Sequence, residues 1–295
     1  MKRRTLLQWA ALAAAGEAAA QPGPSTRAIP SSGEPIPRVG LGTWITFNVG
    51  NDPPARAHCA QVLRAFFEAG GRLVDSSPMY GSSQGVVGEA LRSLGAQQRV
   101  FAADKVWTGA DGAAQLEASR ALWQLPRFDL LQVHNLLAWE KQLPLLHRMK
   151  DEGRVRYVGI TTSEGRRHRE FEQIMRNQRL DFVQFTYNLL DRDVEQRLLP
   201  VAAERGLAVL VNRPFQEGEL LRRLQRFPLP PWAGEIGCTS WAQFALKFVI
   251  SHPAVTCAIP ATRRIDHVRE NMAVARGPFP DAAMRQRMAA HVAGL

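Results

Sequence analysis

Residues 73–75 read LVD, and residues 76–91 continue SSPMYGSSQGVVGEAL. Two apolar positions closed by a carboxylate (Leu73, Val74, Asp75) have the length and composition of a buried strand end. A Ser/Pro turn follows, then Tyr80-Gly81, and then a run whose apolar residues repeat at helical spacing. A strand that ends in a carboxylate, followed directly by a helix, is one β/α unit. The same texture recurs along the chain. Strand-like runs occupy residues 39–43, 72–75, 100–105, 129–134, 156–161, 182–185, 208–212 and 256–259. Helical windows lie between them at 55–69, 84–94, 113–123, 139–150, 164–176, 194–204, 240–250 and 265–275. Strands that alternate with helices require a parallel sheet with crossover helices. Eight such units within one domain's length predict a (β/α)8 barrel; no GxGxxG follows the first strand, which argues against a doubly wound sheet. Residues 27–37, with Ser-Ser-Gly-Glu at their centre, read as a β-hairpin before the first unit.

The 295-residue chain is 45% hydrophobic and 22% charged, with a net charge of +10. That balance is globular, and its arginines are scattered without any nucleic-acid-binding motif, so nucleic acid is not expected as a partner. The N-terminus differs from the rest. MKRRTLLQWAALAAAGEAAA pairs a basic start (Lys2, Arg3, Arg4) with an apolar stretch too short to span a bilayer. Residues 1–20 therefore read as a twin-arginine-like export signal and 21–26 as a linker, with 27–295 as a single domain. Export machinery and a periplasmic location follow as expectations, with the cytoplasm as the alternative and no stable membrane anchor. Cys59, Cys238 and Cys257 form no CxxC pair, and Cys59 and Cys257 sit in patterns of buried small apolar residues. No HxH or HExxH spacing suggests a metal.

In a barrel of this kind the reactive groups stand at the C-terminal strand ends. The second strand ends in Asp75 with Tyr80 beyond it, the third in Lys105 and the fourth in His134. A lysine at the end of an apolar strand needs a carboxylate partner, which Asp75 supplies. Proton transfer coupled to attack on a carbonyl suits this set. Tyr80 is then the acid, Lys105 the ammonium that lowers its pKa, Asp75 the anchor and His134 the orienter.

GLGTW (40–44), the run from Asp75 to Gly81, DKVW around Lys105, LLQVHN around His134 and IPATRRIDHVREN (259–271) together resemble the aldo/keto reductases. The resemblance spans about residues 27–275 and implies that Asp75, Tyr80, Lys105 and His134 form the family's tetrad, with Tyr80 protonating an aldehyde or ketone while NADPH delivers hydride. It implies cofactor or substrate contacts at Gly42, Thr43 and Trp44, and carboxamide contacts at Thr161, Thr162 (a Ser-Asn pair in the family) and Gln184. Asn212, Arg213, Pro214 and Phe215 stand where relatives commonly have Tyr-Ser-Pro-Leu, and Arg213 is expected at the pyrophosphate. Thr262, Arg263 and Arg264 fall at the adenosine 2′-phosphate, and His267, Glu270 and Asn271 near the adenine, which favours NADP over NAD. Trp44 and Trp107, with His134, are expected as walls of the substrate pocket. The loops around the mouth read as short, and the tail after Pro280 leaves no long lid, which implies an open pocket. The alternative reading is a cofactor-binding sensor or partner subunit with little turnover. Substrate identity and oligomeric state are not encoded in these motifs.

Overall fold

The computed structural model describes residues 23–295, so the export-signal reading of residues 1–20 lies outside the described residues. Two antiparallel strands, β1 (Thr26–Ala28) and β2 (Pro35–Pro37), form the expected hairpin. Eight parallel strands follow in sequence order: β3 (Leu41–Gly42), β4 (Leu73–Asp75), β5 (Phe101–Val106), β6 (Phe128–Val133), β7 (Val155–Thr161), β8 (Phe182–Thr186), β9 (Ala208–Asn212) and β10 (Cys257–Ala258). Bridges Val39–Ala258 and Gly42–Ala261 join the last strand to the first, giving a (β/α)8 barrel. The flanking helices are α1 (Pro53–Glu68), α2 (Ser83–Ser93), α3 (Gly112–Trp123), α4 (Trp139–Asp151), α5 (His168–Asn177), α6 (Leu198–Glu204), α7 (Glu219–Leu224), α8 (Trp241–Ser251), α9 (Ile265–Ala273) and a C-terminal α10 (Ala282–Ala293).

The period-two alternation of the strands decides what the barrel contains. Along β5, Phe101 and Ala103 point inward, while Ala102 and Val106 pack outward under the helices. Lys105 continues the inward phase and Asp104 the outward one. The same phase carries Leu73 and Asp75 inward on β4, Leu130 and Gln132 on β6, Phe182 and Gln184 on β8, and Leu210 and Asn212 on β9. The lower inward positions are apolar, and Phe101, Tyr157 and Phe182 pack as a ring cluster with centroids 5.5–6.1 Å apart. Ile29 and Ile36 of the hairpin join that interior cluster and plug the bottom. The top inward layer is polar. It is the floor of a cavity.

The seam strands β3 and β10 are only two residues long, shorter than their sequence patterns. Here the chains approach too closely for side chains: a Cβ on Gly40 would lie 2.9 Å from the Leu73 carbonyl oxygen, and one on Gly42 2.8 Å from that of Ile259. The GLGTW glycines are thus what lets the ring close. The expected helix from residue 164 begins only at His168, because Glu164, Gly165 and Arg167 all have positive φ. Residues 194–204 split into a 3-10 turn (Asp193–Glu195) and α6. Helices α7 and α10 have no counterpart among the expected windows. Met288 and Val292 bury α10 against the barrel wall, where Arg285 bonds Tyr187 Oη at 2.5 Å and pairs with Glu195 at 3.2 Å. All three cysteines are buried and free.

Candidate active site

The turn after β4 is built by its own sequence. Ser77 is extended (φ −164°), and its Oγ accepts the Met79 N–H at 3.2 Å, opening a 3-10 turn over Pro78–Tyr80. Pro78 suits the first position of that turn because it has no N–H to satisfy. Gly81 reverses the chain at φ +59°, where a Cβ would sit 2.4 Å from Asn48 Oδ1. Asn48 then accepts the Ser82 N–H at 3.0 Å, and α2 begins. Four residues, 76–79, therefore carry Tyr80 from the strand end to the cavity wall.

Asp75, Lys105, Tyr80 and His134 come together there. Lys105 Nζ lies 2.6 Å from Asp75 Oδ1 and donates to the Ser76 carbonyl at 2.7 Å, with no solvent exposure. The Asp75 Oδ2 accepts Gln184 Nε2 at 3.0 Å, with Gln132 Nε2 at 3.5 Å. Lys105 Nζ stands 5.0 Å from the centre of the Tyr80 ring, and the His134 ring meets Tyr80 edge-on at 5.7 Å. Ser77 Oγ is 2.8 Å from His134 Nδ1, a partner that the sequence motifs do not single out.

The electrostatics correct one expectation. Burial pushes the Tyr80 phenol up to about 12; Lys105 pulls it down, but less than desolvation raises it. The ring keeps some exposure to the cavity while its hydroxyl end is enclosed. Burial and then the Lys105 charge hold His134 well below its ordinary value, so the ring is neutral. Burial alone would depress Lys105, yet the Asp75 carboxylate and the Tyr80 oxygen outweigh it and the net shift is upward. Asp104, on the outward face behind Lys105, is pushed up to about 7 by burial, against hydrogen bonds from the Lys105 amide and Gln84.

A cavity of about 780 Å³ opens over this floor. Gly42, Thr43, Trp44, Asp75, Tyr80, His134, Thr161, Gln184, Asn212, Arg213, Pro214, Phe215, Thr262, His267, Glu270 and Asn271 line it. Four expected residues behave differently. Thr162 is turned away, its hydroxyl donating to the Arg166 carbonyl at 2.6 Å, and Ser163 lines the cavity in its place. Trp107 lies beyond the inward-facing phase of β5; a two-way bond between its backbone and Gln115 (2.6 and 3.0 Å) holds it outside the lining. Arg263 and Arg264 are exposed next to the lining residue Thr262, and Arg264 pairs with Asp266 at 2.5 Å. Arg213 does line the cavity but is held by Glu164 at 2.8 Å and by Glu217. Asn212 supplies no ring: its amide donates to the Thr162 carbonyl at 2.9 Å and accepts from Thr186 at 2.7 Å. The connection from β9 to α8 is long, not short; it contributes Leu221 of α7, Phe227 and Leu229 to the walls, and α8 adds Trp241.

The aldo/keto reductase family model matches residues 38–291. The chain belongs to the aldo/keto reductase family. Among its relatives is the methylglyoxal reductase YeaE of Escherichia coli (strain K12), 31% identical over 248 residues, which cover 81% of this chain and 85% of that protein. An NADH-specific methylglyoxal reductase of the same strain is 26% identical, covering 66% and 68% of the two chains. Among solved structures, an aldo/keto reductase from Klebsiella pneumoniae in complex with NADP and acetate superposes with a TM-score of 0.74 at 25% identity, covering 88% of this chain and 93% of that one. Membership of this family makes the chain an oxidoreductase.

Proposed function

We propose that this chain reduces an aldehyde or ketone to an alcohol with NADPH, Tyr80 giving the proton. The observation that carries the reading is Tyr80 enclosed between a neutral histidine and an ammonium that a buried carboxylate already holds. The donor set fits the cofactor. Thr161, Ser163, Gln184 and Asn212 offer hydroxyls and amides that suit a neutral carboxamide, and Thr262, Glu270 and Asn271 suit an adenosine. Arg263 and Arg264 would hold a 2′-phosphate, which favours NADP; an NADH-specific relative makes this a real choice. When bound, the nicotinamide supplies the hydride.

The residues account for the remaining steps. In the tautomer where Ser77 donates to His134 Nδ1, the ring proton sits on Nε2, where it would bond the substrate oxygen. Tyr80, like any phenol, is protonated at neutral pH, and its raised pKa keeps the acid needed for reduction loaded well into the alkaline range. Lys105 stabilises the phenolate left after proton transfer, and Asp75 fixes Lys105. The same shift makes Tyr80 a poor base for alcohol oxidation below about pH 10.

Steady-state oxidation of NADPH and NADH against aldehydes, ketones and methylglyoxal tests the proposal, alongside nucleotide titration. Binding without turnover would favour the sensor reading, and equal efficiency with both nucleotides would remove the NADP preference. We propose further that residues 1–20 are a twin-arginine export signal ahead of a domain at 27–295, read from the basic start with Arg3-Arg4 and the short apolar stretch after it. Cell fractionation that finds an unprocessed chain in the cytoplasm would refute it. No helix among the described residues is long and apolar enough to cross a membrane.

A further inference from the structure

A hydroxyl carries one proton and two lone pairs, and a buried one must place its proton on an acceptor. Ser77 is fully buried, and among the described residues its Oγ has two hydrogen-bond partners: the Met79 N–H at 3.2 Å and His134 Nδ1 at 2.8 Å. Met79 can only donate, so it takes a lone pair and leaves the serine proton to be placed. His134 decides where that proton goes. Its ring is neutral, so it holds one proton and has two tautomers. With that proton on Nε2, Nδ1 is a bare acceptor, Ser77 donates to it, and every group in the cluster is satisfied. With it on Nδ1, Met79 and His134 both donate to Ser77 Oγ, and the serine proton is buried without an acceptor. A buried donor left unmade weights the pair by roughly five- to 150-fold toward the first arrangement. Among the described residues Nε2 accepts no hydrogen bond that would favour the second. The cavity that His134 lines is then met by an N–H.

The same serine builds the turn under the acid. Its Oγ caps Met79, and its carbonyl accepts the Tyr80 N–H at 3.0 Å. His134 arrives from a different β/α unit, 57 residues further on, at the end of β6. Strands β4 and β6 are not neighbours in the barrel; β5 lies between them, so no backbone ladder fixes one strand end against the other. The bond from Ser77 to His134 spans that gap.

We propose that Ser77 is a positioning residue for carbonyl reduction: by donating to Nδ1 it keeps the His134 proton on Nε2, and by holding the turn it sets Tyr80 against that N–H, so that both donors converge on one carbonyl oxygen. The inference rests on the carbonyl-reductase reading above. Ser77 acts through its two neighbours, since it is not itself among the residues that line the cavity.

The tautomer is read from two-bond 1H–15N correlations of the native protein labelled at histidine, with His134→Gln identifying the His134 signals. A protonated Nε2 and a bare Nδ1 are expected at neutral pH; a protonated Nδ1 or an even mixture overturns the proposal. The positioning role is read from a double-mutant cycle on kcat/KM with NADPH and the faster of methylglyoxal and butanal. Ser77→Ala should lower kcat/KM roughly three- to tenfold in the native background, and by less than about twofold in His134→Gln, where no ring is left to orient. An equal loss in both backgrounds makes Ser77 a brace for the turn alone and overturns its role at His134. The spectrum needs no change at Ser77, so it decides the tautomer even where Ser77→Ala fails to fold. Absence of turnover with every carbonyl in the native chain overturns the reductase reading and the orienting role with it, whereas a wrong tautomer in an active enzyme overturns the role of Ser77 alone.

Discussion

Each end of the barrel holds a cluster of charged and polar side chains, and the two clusters are tuned in opposite directions. At the bottom, Arg156 pairs with Asp129 at 2.7 Å and with Glu34 of the hairpin, while Tyr157 Oη donates to Glu34 at 2.9 Å and lies 2.7 Å from Ser32 Oγ. Burial would raise the Glu34 carboxyl, but the Tyr157 and Arg156 hydrogen bonds overcome it and the net shift is down; Arg156 shifts up. Both groups are driven toward their charged forms, which is what an ion pair that holds a plug in place requires. At the top, Tyr80 and His134 are driven toward their neutral forms beside the buried Asp75–Lys105 ion pair. Neutral, protonated or hydrogen-bonding groups over a fixed charge are what proton transfer requires. A cluster of ionisable residues alone is therefore no sign of a site; the direction of its shifts and its access to a cavity are.

The largest break in this comparison is expected from Tyr80→Phe. It removes only the hydroxyl proposed as the proton donor, so kcat should fall by about a thousandfold or more, with thermal midpoint and nucleotide affinity nearly unchanged. Near-normal turnover would remove Tyr80 from the mechanism. Lys105→Met should come next, because it strands the buried Asp75 carboxylate; a loss of about 3–5 kcal/mol is expected from denaturant unfolding. The double variant Lys105→Met/Asp75→Leu should regain much of that stability without regaining activity. Recovery of both would make the pair purely structural, like the one at the bottom.

The barrel is legible in the sequence because the strand runs and helical windows alternate cleanly, and because strand phase is rigid. Knowing that Leu73 points inward sends Asp75 inward too, and the same holds for Phe182 and Gln184. What stays hidden depends on partners distant in sequence. Arg213 reads as free for a phosphate, but its partner Glu164 lies on the loop after β7, 49 residues away. Trp107 reads as a pocket wall because it follows Lys105 closely, yet the strand ends at Val106 and Gln115 fixes what comes after. One unexpected element does carry a signal: Met284, Met288 and Val292 recur every fourth residue after Asp281, whose side chain caps α10 by accepting from Met284 at 2.8 Å.

Asp104 sharpens the contrast, because it too is driven toward neutrality while facing away from the cavity. Its folded pKa is about 7, raised above an unfolded value near 3.8. A raised folded pKa means that stability is fully present below the unfolded value and is lost as pH climbs through the folded one. Asp104→Asn, which cannot ionise, should therefore gain stability relative to the native chain as pH rises from about 4 to about 7, and the gain should level off above that. Denaturant midpoints at several pH values measure this, and a constant difference would place the carboxyl in its ionised form throughout.

The smallest effect is expected at the bottom cluster, and it has the opposite sign. The Glu34 carboxyl is lowered in the folded chain, so its contribution is present above the unfolded pKa and is lost as pH falls through the folded one. Glu34 is partly solvated, so water screens its pair with Arg156, and Glu34→Gln should cost only about 1 kcal/mol at neutral pH. That difference should shrink toward zero as pH falls through the lowered folded pKa and the native carboxyl takes up its proton. Carbonyl turnover should not change, since the residue lies at the far end of the barrel from the cavity. A loss of activity without a loss of stability in Glu34→Gln would mean that the hairpin plug reaches the top layer through the packed interior of Ile29, Ile36 and Phe101. The two ends would then be one coupled system rather than two clusters tuned apart.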